Sequence, residues 1–244
     1  MRAGTTPEGV EGDEQISRWV RGMFDRVAPR YDLLNHLLSL NIDRLWRRRV
    51  VKRLEERLRQ PGVRVADLCC GSGDLLLALR KKTPSPIMGS DFSHEMLKVA
   101  AAKIRRTGSD SLLFEADAMR LPLSDESLDL VTAAFGFRNL VNYRAGLKEM
   151  LRVLKPGGAA AILEFSKPPN AAVRALYNLY SCHVLPRIGG AISGSPDAYA
   201  YLPESVRKFP GAQELAGEMR RAGFRDVEFE RMTFGVVALH VGHK

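Results

Sequence analysis

The 244-residue chain has no apolar run near the roughly 20 residues that a membrane-crossing helix requires, so a bilayer-spanning segment is not expected. It has only three cysteines, two of them adjacent, which excludes a disulfide framework and fits a reducing cytosol. Residues 1–14 lack the apolar stretch of a secretory signal and read as a disordered leader. The five histidines (His36, His94, His183, His240 and His243) fall at no metal-ligand spacing, so no metal is expected. Aromatic residues make up only 7%, which makes a pair of them at one strand end informative. Internal repeats and low-complexity tracts are absent too.

What the chain does have is concentrated first in Val65–Asp74, VADLCCGSGD, a short apolar strand running into a glycine turn that opens a helix. Backbone at Gly71-Ser72-Gly73 can approach a ligand closely because the glycines carry no Cβ. A dinucleotide fold needs G-x-G-x-x-G there, yet Leu76, three residues after Gly73, is no glycine, and Cys69 stands where a glycine two residues before Gly71 would be. Asp74 adds negative charge where a pyrophosphate would sit. The turn therefore suits a nucleoside ligand with a cationic or zwitterionic tail and no phosphate, which describes S-adenosylmethionine. Asp91, eighteen residues after Gly73, ends a second strand and is placed to accept from both ribose hydroxyls. A third strand ends at Asp117, which can accept from an adenine amino group, with apolar Ala118 under the ring. Asp67 completes the candidate cofactor residues of the first strand.

Strand and helix alternate five times from Val65 to Glu164, which predicts a doubly wound, mostly parallel, Rossmann-like sheet. Helices are expected at Gln15–Val27, Tyr31–Leu40, Arg44–Arg59, Asp74–Lys82, Ser93–Arg106, Tyr143–Leu154 and Ala212–Ala222. Strands are expected at Leu112–Glu115, Leu128–Ala134 and Ala159–Glu164, with a closing pair at Val227–Thr233 and Val236–Val241 that brings the sheet to seven. Lys155-Pro156-Gly157-Gly158 reads as a turn. The organisation is then a leader over 1–14, N-terminal helices over 15–60 and a cofactor-binding core over 61–166. An irregular, proline-interrupted lid over 167–211 and a closing helix and strands over 212–244 follow.

The net charge of +9 gathers in Arg44–Arg59, an amphipathic helix with a basic face. An anionic membrane surface is one partner for it, and nucleic acid another. The end of the fourth strand argues against nucleic acid. Ala134-Phe135-Gly136-Phe137-Arg138-Asn139 carries no Asn/Asp-Pro-Pro-aromatic turn for adenine N-methylation; of the cysteines that attack on cytosine would need, Cys69 and Cys70 belong to the cofactor turn and Cys182 to the lid segment, without a Pro-Cys turn. It delivers instead two aromatics, an arginine and an amide to where a substrate meets the cofactor.

Three further stretches carry a family resemblance. Tyr31-Asp32-Leu33-Leu34-Asn35, then Leu38-Ser39 and Trp46, form the first; Phe135–Asn139 is the second; Arg152–Gly158 through Glu164-Phe165-Ser166 is the third. Together with Tyr199–Ser205 and the ending Gly235–His240, they resemble the ubiquinone/menaquinone biosynthesis C-methyltransferases (UbiE/MenG) over nearly all of the chain after Arg18. The resemblance implies a class I S-adenosylmethionine-dependent methyltransferase fold with cofactor contacts at Ser72, Asp91, Asp117, Ala118 and Ala134. It implies ring-carbon methylation of a polyprenylated quinol, most often demethylmenaquinol, with the benzoquinol of ubiquinone biosynthesis presenting the same enol edge.

On that basis Arg138 is expected to stabilise the phenolate, Asn139 to orient a ring oxygen and Tyr201 to bond the second oxygen. Tyr31, Phe135 and Phe137 are expected to border the ring. Arg47, Arg48, Arg49 and Lys52 would hold a cytoplasmic enzyme peripherally on the inner leaflet where the isoprenoid tail resides. A homodimer is compatible with the sequence. Two positions depart from the family pattern: Leu34 replaces a methionine and Asp43 a histidine, and the second change leaves position 43 without an expected acid–base role.

Overall fold

The computed structural model describes residues 4, 7, 9–184, 187 and 196–244, side chains of 196–200 excepted. Part of the expected leader, Pro186 and the side chains of Tyr199 and Ala200 lie outside the described residues.

The strands are β1 (Val65–Leu68), β2 (Ile87–Asp91), β3 (Leu112–Glu115), β4 (Leu128–Ala134), β5 (Leu154–Phe165), β6 (Arg225–Met232) and β7 (Val237–His243). They form one sheet in the order β3-β2-β1-β4-β5-β7-β6, with β7 antiparallel to both its neighbours. All four residues of β1 are buried because helices cover both faces of the central strands. The order reverses between β1 and β4, and the carboxyl ends of β1 to β4 open there into a crevice.

Helices α1 (Asp13–Val27), α2 (Tyr31–Leu38) and α3 (Ile42–Leu58) precede the sheet, and α4 (Asp74–Arg80), α5 (His94–Thr107) and α6 (Tyr143–Val153) alternate with its strands. Ser93 caps α5 by accepting from Met96 N, and Asn142 caps α6 by accepting from Ala145 N, so the sequence marks both starts. Trp46, Val50, Val51, Leu54 and Leu58 of α3 pack with Leu75, Leu76 and Leu79 of α4 on one sheet face. Leu147, Met150 and Val153 of α6 pack with Leu215, Ala216 and Met219 on the other.

Two expectations need correction. Residues 155–158 do not form a separate turn: β5 starts at Leu154, and the extra residues form an irregularity between the Leu128–Leu154 and Leu130–Ala159 pairs. The segment after β5 is largely helical, with α7 (Ala171–Leu179), a wide π turn at Tyr180–Val184 and α8 (Pro196–Lys208) before α9 (Ala212–Ala222). Its prolines punctuate helices more than they prevent them. Pro168 and Pro169 precede α7, whose first amides at Ala172 and Val173 are accepted by Asn170, and Pro196 opens α8, where the missing N–H costs nothing. Pro203 is tolerated inside α8.

Candidate functional site

Two cavities meet at the strand ends. The first is a narrow cleft over the β1 turn, bordered by Gly71, Asp91, Asp117, Ala118, Ala134 and Cys69 among others. The second, about 480 Å³, is a mainly apolar chamber beneath α2, α7 and α8. Phe24, Tyr31, Phe135 and Asn139 border both, so they form the wall between them.

The cleft is built by its turn. Cys69 and Gly71 both take positive φ, 50° and 54°, which folds the chain back beneath Asp91. Asp91 Oδ2 accepts from Gly71 N at 2.8 Å and Oδ1 from Ser93 N at 2.9 Å. Each carboxylate oxygen retains a second acceptor site, as two vicinal hydroxyls require. Burial pushes the Asp91 pKa up to about 6, against the amides of Ser93, Gly71 and Phe92. Asp117 is held by Met119 N, which donates to Oδ1 at 2.8 Å, beside buried Ala118. Adenosine chemistry therefore fits the donors and acceptors present.

Ser72, Gly73 and Asp67 support the turn without bordering the cleft. Ser72 Oγ donates to Asp32 on α2 and accepts from Lys103 Nζ on α5 at 3.1 Å. Gly73 precedes α4 at φ 84°, where a Cβ would lie 3.3 Å from Ala100 Cβ. Asp67 sits inside the sheet and accepts from Thr132 Oγ1 at 2.6 Å, with burial raising its pKa to about 7. The negative charge expected of Asp74 is compensated. Burial opposes its ionisation, yet Lys103 Nζ at 2.6 Å, with Arg47 and His36, holds its pKa below the ordinary carboxylate value. Sequence reading missed Lys103, whose ammonium ties Asp32, Ser72 and Asp74 together and so fastens α2 to the cofactor turn.

The segment after β4 sorts its side chains by direction. Phe135, at φ 58°, faces both cavities and packs on Trp46 and Phe165, with ring centroids 5.7 Å and 5.0 Å away. Phe137 does not border the substrate space as expected. The short 3-10 turn points it into the core, where Gly146 leaves room for its ring. Arg138 borders the chamber and is fixed by the buried carboxylate of Glu164, 3.0 Å from Nη1, by the Phe135 carbonyl, and by Ser205 Oγ at 3.3 Å from Nε. Glu164 has its pKa raised by burial, in part offset by Arg138.

Among the described residues, Asn139 is buried with neither amide oxygen nor amide nitrogen bonded, and the buried Tyr201 hydroxyl is also without a partner. Both border the chamber. Buried polar atoms without partners cost free energy, which makes these two the candidate contacts for polar atoms of a ligand in the chamber. Burial raises the Tyr201 and Tyr31 pKa values, which keeps both phenols protonated.

The basic helix also departs from expectation. Arg47 is buried, pairs with Asp43 and stacks 5.5 Å from the Phe135 ring centre, while Arg49 donates to Glu230 on β6 at 2.9 Å. Arg47 is thus turned into the chamber, while Arg49 keeps 42% of its side chain exposed beside β6. Arg44, Leu45, Arg48 and Lys52 remain exposed. Around the chamber, Leu40, Leu176 and Phe234 are 77%, 69% and 82% exposed, so its mouth is apolar. No helix among the described residues is long and apolar enough to cross a membrane.

The model of the ubiE/COQ5 methyltransferase family matches residues 11–244. A demethylmenaquinone methyltransferase of Thermus thermophilus is 47% identical over 91% of this chain and 100% of its own length. One of Deinococcus radiodurans is 46% identical over 96% of each chain, and a ubiquinone/menaquinone biosynthesis C-methyltransferase UbiE of Syntrophotalea carbinolica is 45% identical over 91% and 92%. Among solved structures, the [4+2]-cyclase SpnF superposes over 100% of this chain and 99% of its own with a TM-score of 0.69 at 19% identity. A methyltransferase from Thermotoga maritima, described as a possible histamine N-methyltransferase, covers 91% and 99% with a TM-score of 0.65 at 20% identity. At such identities these two speak for the fold alone.

Proposed function

The chain belongs to the ubiE/COQ5 methyltransferase family, and we propose that the acceptor of its S-adenosylmethionine-dependent C-methylation is a polyprenylated quinol, demethylmenaquinol first. The observation that carries this reading is the shared wall. A nucleoside cleft and a large apolar chamber meet at Phe24, Tyr31, Phe135 and Asn139, and partnerless polar atoms of Asn139 and Tyr201 border the chamber. A flat ring with two oxygens and a long hydrocarbon tail has that combination of needs. The benzoquinol of ubiquinone biosynthesis is the second acceptor considered, since its ring edge is alike; the names of the relatives favour the naphthoquinol.

When bound, S-adenosylmethionine supplies an electrophilic methyl group. The chain's own residues supply the rest. Asp91, Asp117 and Ala118 hold the nucleoside, with Gly71 and Ala134 giving the backbone room to approach it. Phe135, locked between Trp46 and Phe165, presses the acceptor ring toward the wall. Asn139 orients one ring oxygen and the protonated Tyr201 donates to the other. Arg138, pinned by Glu164, adds positive potential as the phenolate forms. Holding the ring carbon in line with the methyl group and excluding water supplies the remaining rate.

The apolar mouth explains how a membrane-dissolved tail enters. Leu40, Leu176 and Phe234 would contact the bilayer, and exposed Arg44 and Arg48 beside Leu45 would meet anionic headgroups. The segment 167–211 then acts as the substrate lid, and the enzyme works peripherally on the cytoplasmic face. Asn139→Ala tests the reading: it should lower methyl transfer by at least about tenfold while calorimetry finds cofactor binding kept, as loss of one positioning hydrogen bond implies. Wild-type turnover in this variant would mean that the acceptor does not lie at the wall.

A further inference from the structure

Ring-carbon methylation releases one proton, and the chamber must offer it an acceptor. Among the described residues that border the chamber, the ionisable side chains are Tyr31, Asp43, Arg47, Arg138, Tyr177, Tyr180 and Tyr201. Arginine does not give up its proton in proteins, so neither guanidinium is a base. The four tyrosines have pKa values raised by burial, so they are donors. That leaves the Asp43 carboxylate. Glu164 is no rival, because it is absent from the chamber border.

Asp43 is not alone. His36 Nδ1 lies 2.9 Å from Asp43 Oδ2, and Ser39 Oγ donates to Oδ1 at 2.7 Å. On its other side His36 Nε2 lies 3.8 Å from Asp74 Oδ2. Side-chain exposure rises along this line, from 5% at Asp43 to 21% at His36 and 24% at Asp74. The line therefore runs from the chamber toward solvent beside the cofactor turn. Three ligand-type atoms of His36, Asp43 and Asp74 lie within 4.8 Å of one another, yet Arg47 on Asp43 and Lys103 on Asp74 already supply cations.

We propose that Asp43 and His36 are the proton acceptor of the reaction: Asp43 takes the ring hydroxyl proton and His36 holds it on its way past Asp74 to solvent. Position 43, which lacks the histidine usual in the family, keeps an acid–base role because an imidazole from α2 stands beside it. The step balances as follows. The O–H pair moves into the ring, the ring carbon bonds to the methyl group, and the C–S pair stays on sulfur. The proton goes to the Asp43–His36 pair. Aromaticity returns when the ring C–H proton leaves and the oxygen regains a proton, so one proton in all reaches solvent. Asp43 is the catalytic group, and His36 is a positioning residue. The charged groups facing the pair are Arg47 on α3, Asp74 on α4, Lys103 on α5 behind Asp74, and Asp32 on α2 bound to Lys103.

The proposal rests on the quinol reading above, and the test separates the two. Single-turnover methyl transfer to reduced demethylmenaquinol is followed between pH ~5.5 and ~9 for the wild type, D43N, H36Q and the exchanged pair H36D/D43H. Calorimetry with S-adenosylmethionine reports an intact cleft in each. D43N should be at least about 100-fold slower at pH ~7 and gain about tenfold per pH unit, since only acceptor ionised in advance reacts. H36Q should lose about tenfold and the low-pH limb of the wild-type profile, and the exchanged pair should recover at least about tenfold over D43N. Where D43N fails to bind cofactor, H36Q decides, because His36 is the more exposed partner. D43N and H36Q within about threefold of wild type at every pH, or equal losses at all pH without recovery in the exchanged pair, would overturn the proposal. A wild type that transfers no methyl to this acceptor would count against the quinol reading instead.

Discussion

Gly136→Ala places one methyl group between the two turns that build the cofactor cleft. A Cβ at position 136 would lie 2.3 Å from Cys69 Cβ and 3.3 Å from the Cys69 carbonyl oxygen. Carbon atoms rest roughly 3.5–4.0 Å apart, so the β1 and β4 turns must separate by more than about 1 Å. The obstacle is a Cβ fixed to the backbone, and a rotamer change cannot relieve it. Gly136 itself has φ −114°, ordinary for alanine, so the effect is steric rather than conformational. Overpacking typically costs about 1–3 kcal/mol, and this site should reach the upper end. For a chain of this size about 3 kcal/mol lowers Tm by roughly 6–12 °C. Because Cys69 and Gly136 both border the cleft, S-adenosylmethionine affinity should fall in parallel. Cys69→Gly in the same chain removes the obstructing Cβ at a residue already in the left-handed region at φ 50°, so the double variant should regain most of both losses. Thermal unfolding and calorimetric cofactor titration read the two quantities. A single variant as stable as wild type, or a double variant no better than the single, would refute the reasoning about turn contact.

Other outcomes follow from the same geometry. Asp91, raised by burial to about 6, should bind cofactor through its ionised form, so affinity falls as pH drops through about 6 and is level above it. In the protein without cofactor the sign is opposite: this group's stabilisation, about 3 kcal/mol, is full below its unfolded pKa and lost as pH rises through about 6. Calorimetric titrations at pH ~5 and ~7.5 check the first, and unfolding at pH ~3.5 and ~7.5 the second. Glu164→Gln leaves the buried Arg138 charge without its counter-ion and should cost about 3–5 kcal/mol in urea unfolding; a loss below ~1 kcal/mol would mean the pair is not held as described. Replacing Arg44, Leu45 and Arg48 by glutamine should weaken binding to anionic vesicles by about 30-fold, at roughly 1 kcal/mol per arginine, with cofactor affinity unchanged. Sedimentation with vesicles measures it, and unchanged binding would move the membrane contact elsewhere.

Much of the architecture is legible in local pattern. Leu112–Glu115, Leu128–Ala134 and Ala212–Ala222 occupy the elements expected of them residue for residue, since polar residues or glycine bound each apolar run. That Gly71, Asp91, Asp117 and Ala118 border one cleft is legible for a related reason: they lie at or just after strand ends, and strand ends in a doubly wound sheet converge. What escaped depends on residues distant in the chain. Ser72 meets Asp32 forty positions away, Trp46 Nε1 donates to Thr233 Oγ1 across 187, and Arg138 reaches Glu164 across 26. No periodicity announces such pairs. Charge composition misled at α3, because a count of arginines does not tell Arg47, turned into the chamber, from Arg48, turned outward. Phe137 misled by adjacency, since one residue in a 3-10 turn separates the cavity side from the core side.

The most direct measurement is transfer of labelled methyl from S-adenosylmethionine to chemically reduced demethylmenaquinol in vesicles, beside a reduced benzoquinol precursor. The account predicts label on the naphthoquinol ring carbon, with none when the quinone is left oxidised, because only the quinol has an ionisable hydroxyl to drive the ring carbon. Cofactor binding without label in either ring would contradict it.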